Sequence, residues 1–261
     1  MSHVIRAELS KLVRRPALVA TAIGAVLFAL VASLSVFLSA DAGAAPVGRT
    51  ATLGSLAEPG GGTEAFALGV SFTGLLVLVV FVANFTGEIS RGTLRTLLMR
   101  EPRRLRLLAG KMTALLTFAA LVLAATAALT WIASLSLAPG QGVSTSEWFT
   151  LAALGDNLAD YGTALLTVGG WAVLGMALGV VLRSTPLALG VGVAWAGPLE
   201  HLTQDAWSGA ESWFPGLLLE TVAAGGVGEV SFSRAISLVA VYAVAAAALA
   251  AVVFRRRDVT A

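Results

Sequence analysis

The strongest constraint on this chain is a succession of apolar runs, too long for soluble core helices, with basic residues confined to alternate gaps between them. Six runs cover about residues 17–39, 65–85, 112–137, 161–182, 185–199 and 235–254. A bilayer-crossing helix needs about 20 predominantly apolar residues, and all but the fifth run meet or approach that. The fifth carries Pro198 near its end; it either stops there as a tilted partial span or continues through His201 and Leu202. Only 12% of residues are charged, about half the share of an ordinary soluble domain, too few to cover a soluble surface. The expectation is an all-α polytopic membrane protein, a single transmembrane domain over residues 1–261. The first run is too long for a cleaved signal peptide.

Charge placement sets the expected orientation. Arg6, Lys11, Arg14 and Arg15 precede the first run. Arg91, Arg95, Arg100, Arg103, Arg104, Arg106 and Lys111 separate the second from the third. Arg183 follows the fourth, and Arg255, Arg256 and Arg257 follow the last. With six spans these all share one side, and only Arg49 and Arg234 of the 17 basic residues fall on the other. Lys and Arg collect on the cytoplasmic side, so both termini are expected there. Asp41, Glu58, Glu64, Glu147, Asp156, Asp160, Glu200, Asp205, Glu211, Glu220 and Glu229 fall outside, which agrees with the topology without deciding it. The excess of Arg over Lys, with abundant Ala and Gly, suits a G+C-rich bacterial genome, so the expected location is a bacterial plasma membrane.

The polar segments carry further patterns. Ile5, Leu9, Leu12 and Val13 share one face of an N-terminal helix rimmed by Arg6, Lys11, Arg14 and Arg15, as in a helix lying in the headgroup layer. Residues 40–64, with Gly60-Gly61-Gly62, read as a flexible external loop. Thr93–Met99 reads as a short helix whose Leu94, Leu97 and Leu98 form an exposed stripe beside Arg95 and Arg100. Such a helix suits docking into a partner's groove; the same loop equally suits lying on anionic lipid, and pattern alone leaves the two level. In Glu200–Arg234, Ser212-Trp-Phe-Pro215 resembles a helix start, with Leu217–Ala224 a short helix dipping into the outer leaflet beside an aromatic belt.

Much is excluded. The chain has no cysteine, so disulfides and thiolate metal sites are ruled out. Gly110-Lys111 is followed by Met112, which is not a phosphate loop, and Gly225-Gly226-Val227-Gly228 follows no strand. There is no HExxH motif, and the runs hold essentially no ionisable group, which argues against proton coupling and intramembrane catalysis. External Glu200, His201, Asp205 and Glu211 are the residues a lipid-modifying enzyme would use; scattered acids in a solvated loop are the better reading. Gly175 and Gly179, like Ala243, Ala247 and Ala251, read as internal packing faces.

Taken together, the arrangement resembles the ABC-2 type transporter permeases. The resemblance rests on the arm Arg6-Ala-Glu8-Leu-Ser-Lys11-Leu-Val-Arg14-Arg15-Pro16, on Asn84-Phe-Thr-Gly-Glu88-Ile-Ser-Arg91-Gly92-Thr93-Leu94-Arg95, on Pro102-Arg-Arg104 and Leu107-Leu-Ala-Gly110-Lys111, and on Trp213-Phe-Pro215. It implies a six-span, non-catalytic subunit with no cofactor of its own. Two permease copies, identical or homologous, would pair in the bilayer above two separate ATP-binding subunits that use ATP and Mg; no nucleic acid is involved. The resemblance makes residues 87–100 the coupling helix, with Glu88, Arg91, Thr93, Leu94, Leu97 and Leu98 at the ATPase contact. It makes the segment from Trp213 to Ala224 a re-entrant outer element. Spans two and five would line the substrate path through Val70, Phe72, Thr73, Leu76, Asn84, Val191, Val193 and Trp195, an apolar lining suited to exporting a drug, lipid or peptide. The rival reading is a non-transport anchor or sensor that recruits a cytoplasmic partner through the basic loop.

Overall fold

A computed structural model describes residues 2–40, 51–207, 209–226 and 230–257. Asp41, Arg49, Glu229 and the Val227-Gly228 part of the glycine-rich turn lie outside the described residues, as do the side chains of Arg95 and Arg100. The described residues contain helices and no strand. In chain order these are α1 (Ser2–Leu12), α2 (Arg15–Ala40), α3 (Leu53–Leu56), α4 (Glu64–Ser90), α5 (Thr93–Arg100), α6 (Arg104–Leu137), α7 (Leu151–Leu182), α8 (Thr185–Ala194), α9 (Glu200–Ala206), α10 (Pro215–Ala223) and α11 (Phe232–Arg256). Five of them, α2, α4, α6, α7 and α11, are long and apolar enough to cross a membrane. The chain is thus an all-α protein with the helices of a multi-pass membrane protein.

The fifth apolar run takes a composite form. Helix α8 passes into a π-helical turn at Trp195–Leu199, which holds Pro198, and then into α9 without a break. A π turn rearranges the backbone bonds around a proline that would otherwise stop a helix. The helical path therefore runs on to Ala206. Likewise α7 begins at Leu151, well before residue 161, because Thr150 caps it through the Ala153 N–H and its polar first turns include Asp160, whose Oδ2 lies 2.7 Å from the Thr63 hydroxyl.

The centre of the bundle is the α4–α7 pair, and glycine sets its closeness. A side chain on Gly74 would overlap the Trp171 ring; one on Gly175 would lie 2.9 Å from the Leu78 carbonyl, and one on Gly179 3.0 Å from Phe85 Cβ. The small-residue face of α7 is thus spent inside the chain. Helix α2 packs on α6, where Ser33 meets Thr130 and Ser134. Helix α10 follows Pro215 into the bundle, and its Leu218, Leu219 and Val222 are buried.

Residues 51–62 correct the expected flexible loop. Leu56, Gly61 and Gly62 are buried, and the Trp148 indole donates to the Leu56 carbonyl at 2.9 Å. A side chain on Gly61 would overlap the Leu56 backbone, and one on Gly62 would meet Trp131 at 2.5 Å. These glycines permit close approach rather than mobility.

Candidate functional site

Four charged side chains from three helices close one end of the bundle. Lys11 Nζ of α1 lies 2.6 Å from Glu8 Oε1 and 2.8 Å from Glu88 Oε1. Lys111 Nζ of α6 lies 2.8 Å from Glu88 Oε1 and 3.4 Å from Glu8 Oε2. Two acids and two bases thus alternate around a ring. Three side chains are almost fully buried, and Lys11 alone is substantially exposed, at 41%. Buried charge is tolerable only when paired in this way. Burial works against the Lys11 charge, but bonds to Glu8 and Glu88 outweigh it and hold the amine above the usual lysine value. Lys111 also sits 5.4 Å from the centroid of the Phe85 ring, a cation–π contact.

Helical spacing explains the ring. Val4, Glu8 and Lys11 recur at i, i+4 and i+7, so α1 presents them on one side. A side chain on Gly110 would lie 2.8 Å from Val4, so Gly110 is what lets α1 lie on α6, next to Lys111. The Gly110-Lys111 pair is therefore an internal seat for the N-terminal helix. Glu88 and Lys111 sit inside α4 and α6, which both extend past the apolar runs.

The short helix α5 differs from its expected posture. It begins after Gly92, whose φ of +68° is left-handed, a conformation glycine adopts without strain. Leu94 is buried, and Leu97 and Leu98 pack against the same core as Phe85, Met112 and Phe254. The leucine stripe therefore faces this chain's own core, and Glu88 turns inward as well. Among the described side chains, the outward face of α4's end and α5 includes Ser90, Arg91, Thr93, Thr96 and the 79% exposed Met99. Met99 escaped sequence reasoning, although it stands outside the i, i+3, i+4 leucine pattern, which marks it as outward. Basic residues nearby act as helix caps. Arg104 donates to the carbonyls of Phe254 at 3.3 Å and Arg257 at 2.6 Å, and Arg257 donates to the Val181 carbonyl at 2.7 Å, satisfying C-terminal carbonyls that a helix leaves open.

The expected path residues divide. Phe72 and Leu76 lie on the exposed face of α4, followed one turn on by Val80. Thr73 bonds back to the Val70 carbonyl, and Val70 is buried. Asn84 is half-buried, with Oδ1 enclosed and unbonded. Val193 is exposed. Val191 and Trp195 instead line a cavity of about 320 Å³ between α7, α8 and α11, with Glu200 at its wall. The other external polar residues do not converge. His201 pairs with Glu220 at 3.2 Å, Glu211 accepts from Gln204 at 2.8 Å, and Asp205 is exposed. No group of three metal-ligating side chains occurs among the described residues.

Residues 17–260 match the family described as "Protein of unknown function (DUF2705)", and the chain belongs to that family. No curated protein matches it.

Proposed function

We propose that this member of the family is the membrane-spanning permease subunit of an ATP-driven exporter in the bacterial plasma membrane. Six segments span, the five long helices and the composite from Thr185 to Ala206, and both termini are cytoplasmic. The observation that carries the reading is the construction of the charged end. A short helix, α5, stands between two long helices, with an outward face free for a partner and an inward face fused to the core. Glu88 and Lys111 tie the α4 and α6 ends to one another and to α1. A push on Arg91, Thr93 and Met99 is thereby delivered to long helices instead of being absorbed by a loop. The pusher is a separate ATP-binding subunit, two per transporter, using ATP and Mg; this chain binds no nucleotide. Two permease copies face each other, and a hydrophobic or amphipathic cargo passes between them.

The first test is whether an ATP-binding protein co-purifies with the full chain from the membranes of its own cell. Met99→Glu should weaken assembly and substrate-stimulated ATPase activity while leaving membrane insertion intact. Leu97→Arg should fail more severely, because it disrupts the core as well as the contact. Full complex formation and full stimulation with Met99→Glu overturn the coupling surface. A partner held in a salt-sensitive, nucleotide-independent way, with no ATPase among the co-purified chains, would instead favour an anchor that recruits through its basic rim.

A further inference from the structure

Glu200 is the one ionisable group in the wall of the lateral cavity. The residue is 1% exposed. Its Oε2 accepts the Leu217 N–H at 2.9 Å, in the first turn of α10. The Gly216 N–H and the Trp195 indole also donate toward the carboxyl group, but Oε1 is enclosed and has no hydrogen-bond partner. A side chain on Gly216 would overlap the carboxylate and crowd Trp171, so Gly216 keeps the group in place. The rest of the wall is apolar, with Trp171, Leu178, Val191, Trp195 and Leu249 among its residues. Val191, Trp195 and Leu249 are also exposed on the outside of the bundle, so the cavity is entered from the side.

An acceptor left unbonded in a dry wall is costly. A purely structural cap would have used both oxygens. The cavity is large enough for a small amphiphile. Its two indole rings suit a cation as well as an apolar body.

We infer that this cavity binds an amphipathic amine, with the ammonium group against Glu200 Oε1 and the Trp195 ring and the apolar body between α7, α8 and α11. Charge complementarity selects this occupant: a neutral lipid tail fills the volume but leaves Oε1 unbonded, and an anion meets a carboxylate. The inference deepens the permease reading, on which it rests only for treating the bound amine as cargo. Binding itself is a property of the chain alone.

The test uses the full-length chain in phosphatidylcholine nanodiscs at neutral pH, without any ATPase. Phenylbutylamine and phenylbutanol share one apolar body and differ in the charged end. Each is titrated against tryptophan emission, with empty nanodiscs correcting for partition into lipid. The amine is expected to bind at least tenfold more tightly than the alcohol, the ratio a charge-assisted bond supplies in a dry site. Glu200→Gln keeps the acceptor for the Leu217 N–H and removes the charge, so the ratio should fall to about one while the alcohol's affinity stays the same. Val191→Trp fills the mouth and should abolish saturable binding of both probes, which keeps the test decisive if Glu200→Gln fails to fold. Equal affinity of the two probes for the wild type, an amine preference that survives Glu200→Gln, or saturable binding that survives Val191→Trp overturns the inference. Those outcomes leave the permease reading standing, because it is judged by assembly with an ATPase. Failure of that assembly leaves amine binding standing.

Discussion

The charged ring makes a quantitative prediction, because its members differ in burial. Lys111→Met keeps most of the apolar stem and the contact with Phe85 but removes a charge whose side chain is 5% exposed. Glu8 and Glu88 would then share Lys11 alone, leaving one net negative charge in a buried setting. Removing one partner of a buried ion pair costs about 3–5 kcal/mol. Since Lys11 still reaches both carboxylates, at 2.6 and 2.8 Å, the lower end applies: about 3 kcal/mol, roughly a hundredfold in the folding equilibrium. Lys11→Met removes an equal charge from a side chain that is 41% exposed. The same two buried carboxylates are then left with one base, but water reaches the vacated position, so the cost should be smaller, about 1–2 kcal/mol. Combining Lys111→Met with Glu88→Gln removes one charge of each sign and leaves Glu8 paired with Lys11. The double variant should be more stable than the sum of its singles predicts, by about 0.5–3 kcal/mol. The assay is reversible unfolding of the purified chain in mixed micelles, followed by tryptophan emission. Equal costs for Lys11→Met and Lys111→Met, or strict additivity in the double variant, would refute the claim that burial of a closed ring sets the energetics.

Three further outcomes follow from other contacts. Gly175→Leu must force α4 and α7 apart and should cost about 1–3 kcal/mol by overpacking, whereas Gly169→Ala, with open space around its position, should be neutral or stabilise the helix by up to about 1 kcal/mol; similar melting temperatures for the two would contradict the packing described. Trp148→Phe strands the buried Leu56 carbonyl and should cost about 1–3 kcal/mol, with faster hydrogen exchange confined to residues 51–62; uniform exchange across the bundle would count against it. Burial raises the Glu220 carboxyl of α10 above its usual 4.5, against the pull of His201. Glu220 therefore binds its proton more tightly folded than unfolded, so its contribution is complete below about pH 4.5 and is lost as pH rises through the raised folded value. Hydrogen exchange in α10 should accelerate as pH rises from about 4 towards neutral, after correction for intrinsic rates, and Glu220→Gln should flatten that rise; a flat wild-type profile would exclude the group as a contributor.

How far these features could be read in advance depended on the range of the physics behind them. The long helices were legible because a bilayer imposes a local rule of length and apolarity, and α5 and α10 were legible from the helical spacing of Leu94, Leu97 and Leu98 and from Pro215 at a helix start. The start of α7 was hidden because Asp156, Asn157 and Asp160 interrupt the apolar run without interrupting the helix. Continuation past Pro198 was left open because a π turn has no sequence signature of its own. The ring was invisible for a different reason. Glu8, Lys11, Glu88 and Lys111 were each read in place, as arm, loop and flank, and Lys11 meets Glu88 across 77 residues while Lys111 meets Glu8 across 103. A single sequence carries no sign of such pairings. The same holds for Glu200, which looked like one more solvated acid until α10 was laid against it, and for Gly60-Gly61-Gly62, where composition suggests freedom and the neighbouring Trp131 and Trp148 remove it.

The ring and the cavity are joined by one pair of helices. Helix α4 carries Glu88 at its charged end and Leu78 at the cavity wall; α7 carries Trp171, Leu174 and Leu178 at that wall. Along this stretch the helices approach closely, at Gly74 against the Trp171 ring, at Gly175 against the Leu78 carbonyl and at Gly179 against Phe85 Cβ. Contacts of that kind have little slack, since close-packed interiors deform in discrete steps rather than continuously. The α4–α7 pair is therefore closely coupled, and under the proposed function a push at the α4 end is carried to the Leu78–Trp171 side of the cavity. Helix α8 meets this pair at Gly192, where a side chain would lie 2.9 Å from Leu78 and 3.0 Å from Leu178, and through the Thr185 hydroxyl, which donates to Thr86 at 2.7 Å. It meets α7 through leucines, turns sharply at Arg183, where φ is +54°, and contains the π turn next to Trp195 and Glu200. The composite wall is thus tied to the α4–α7 pair at Thr185 and Gly192, and its far end carries Glu200, whose Oε2 holds the first turn of α10.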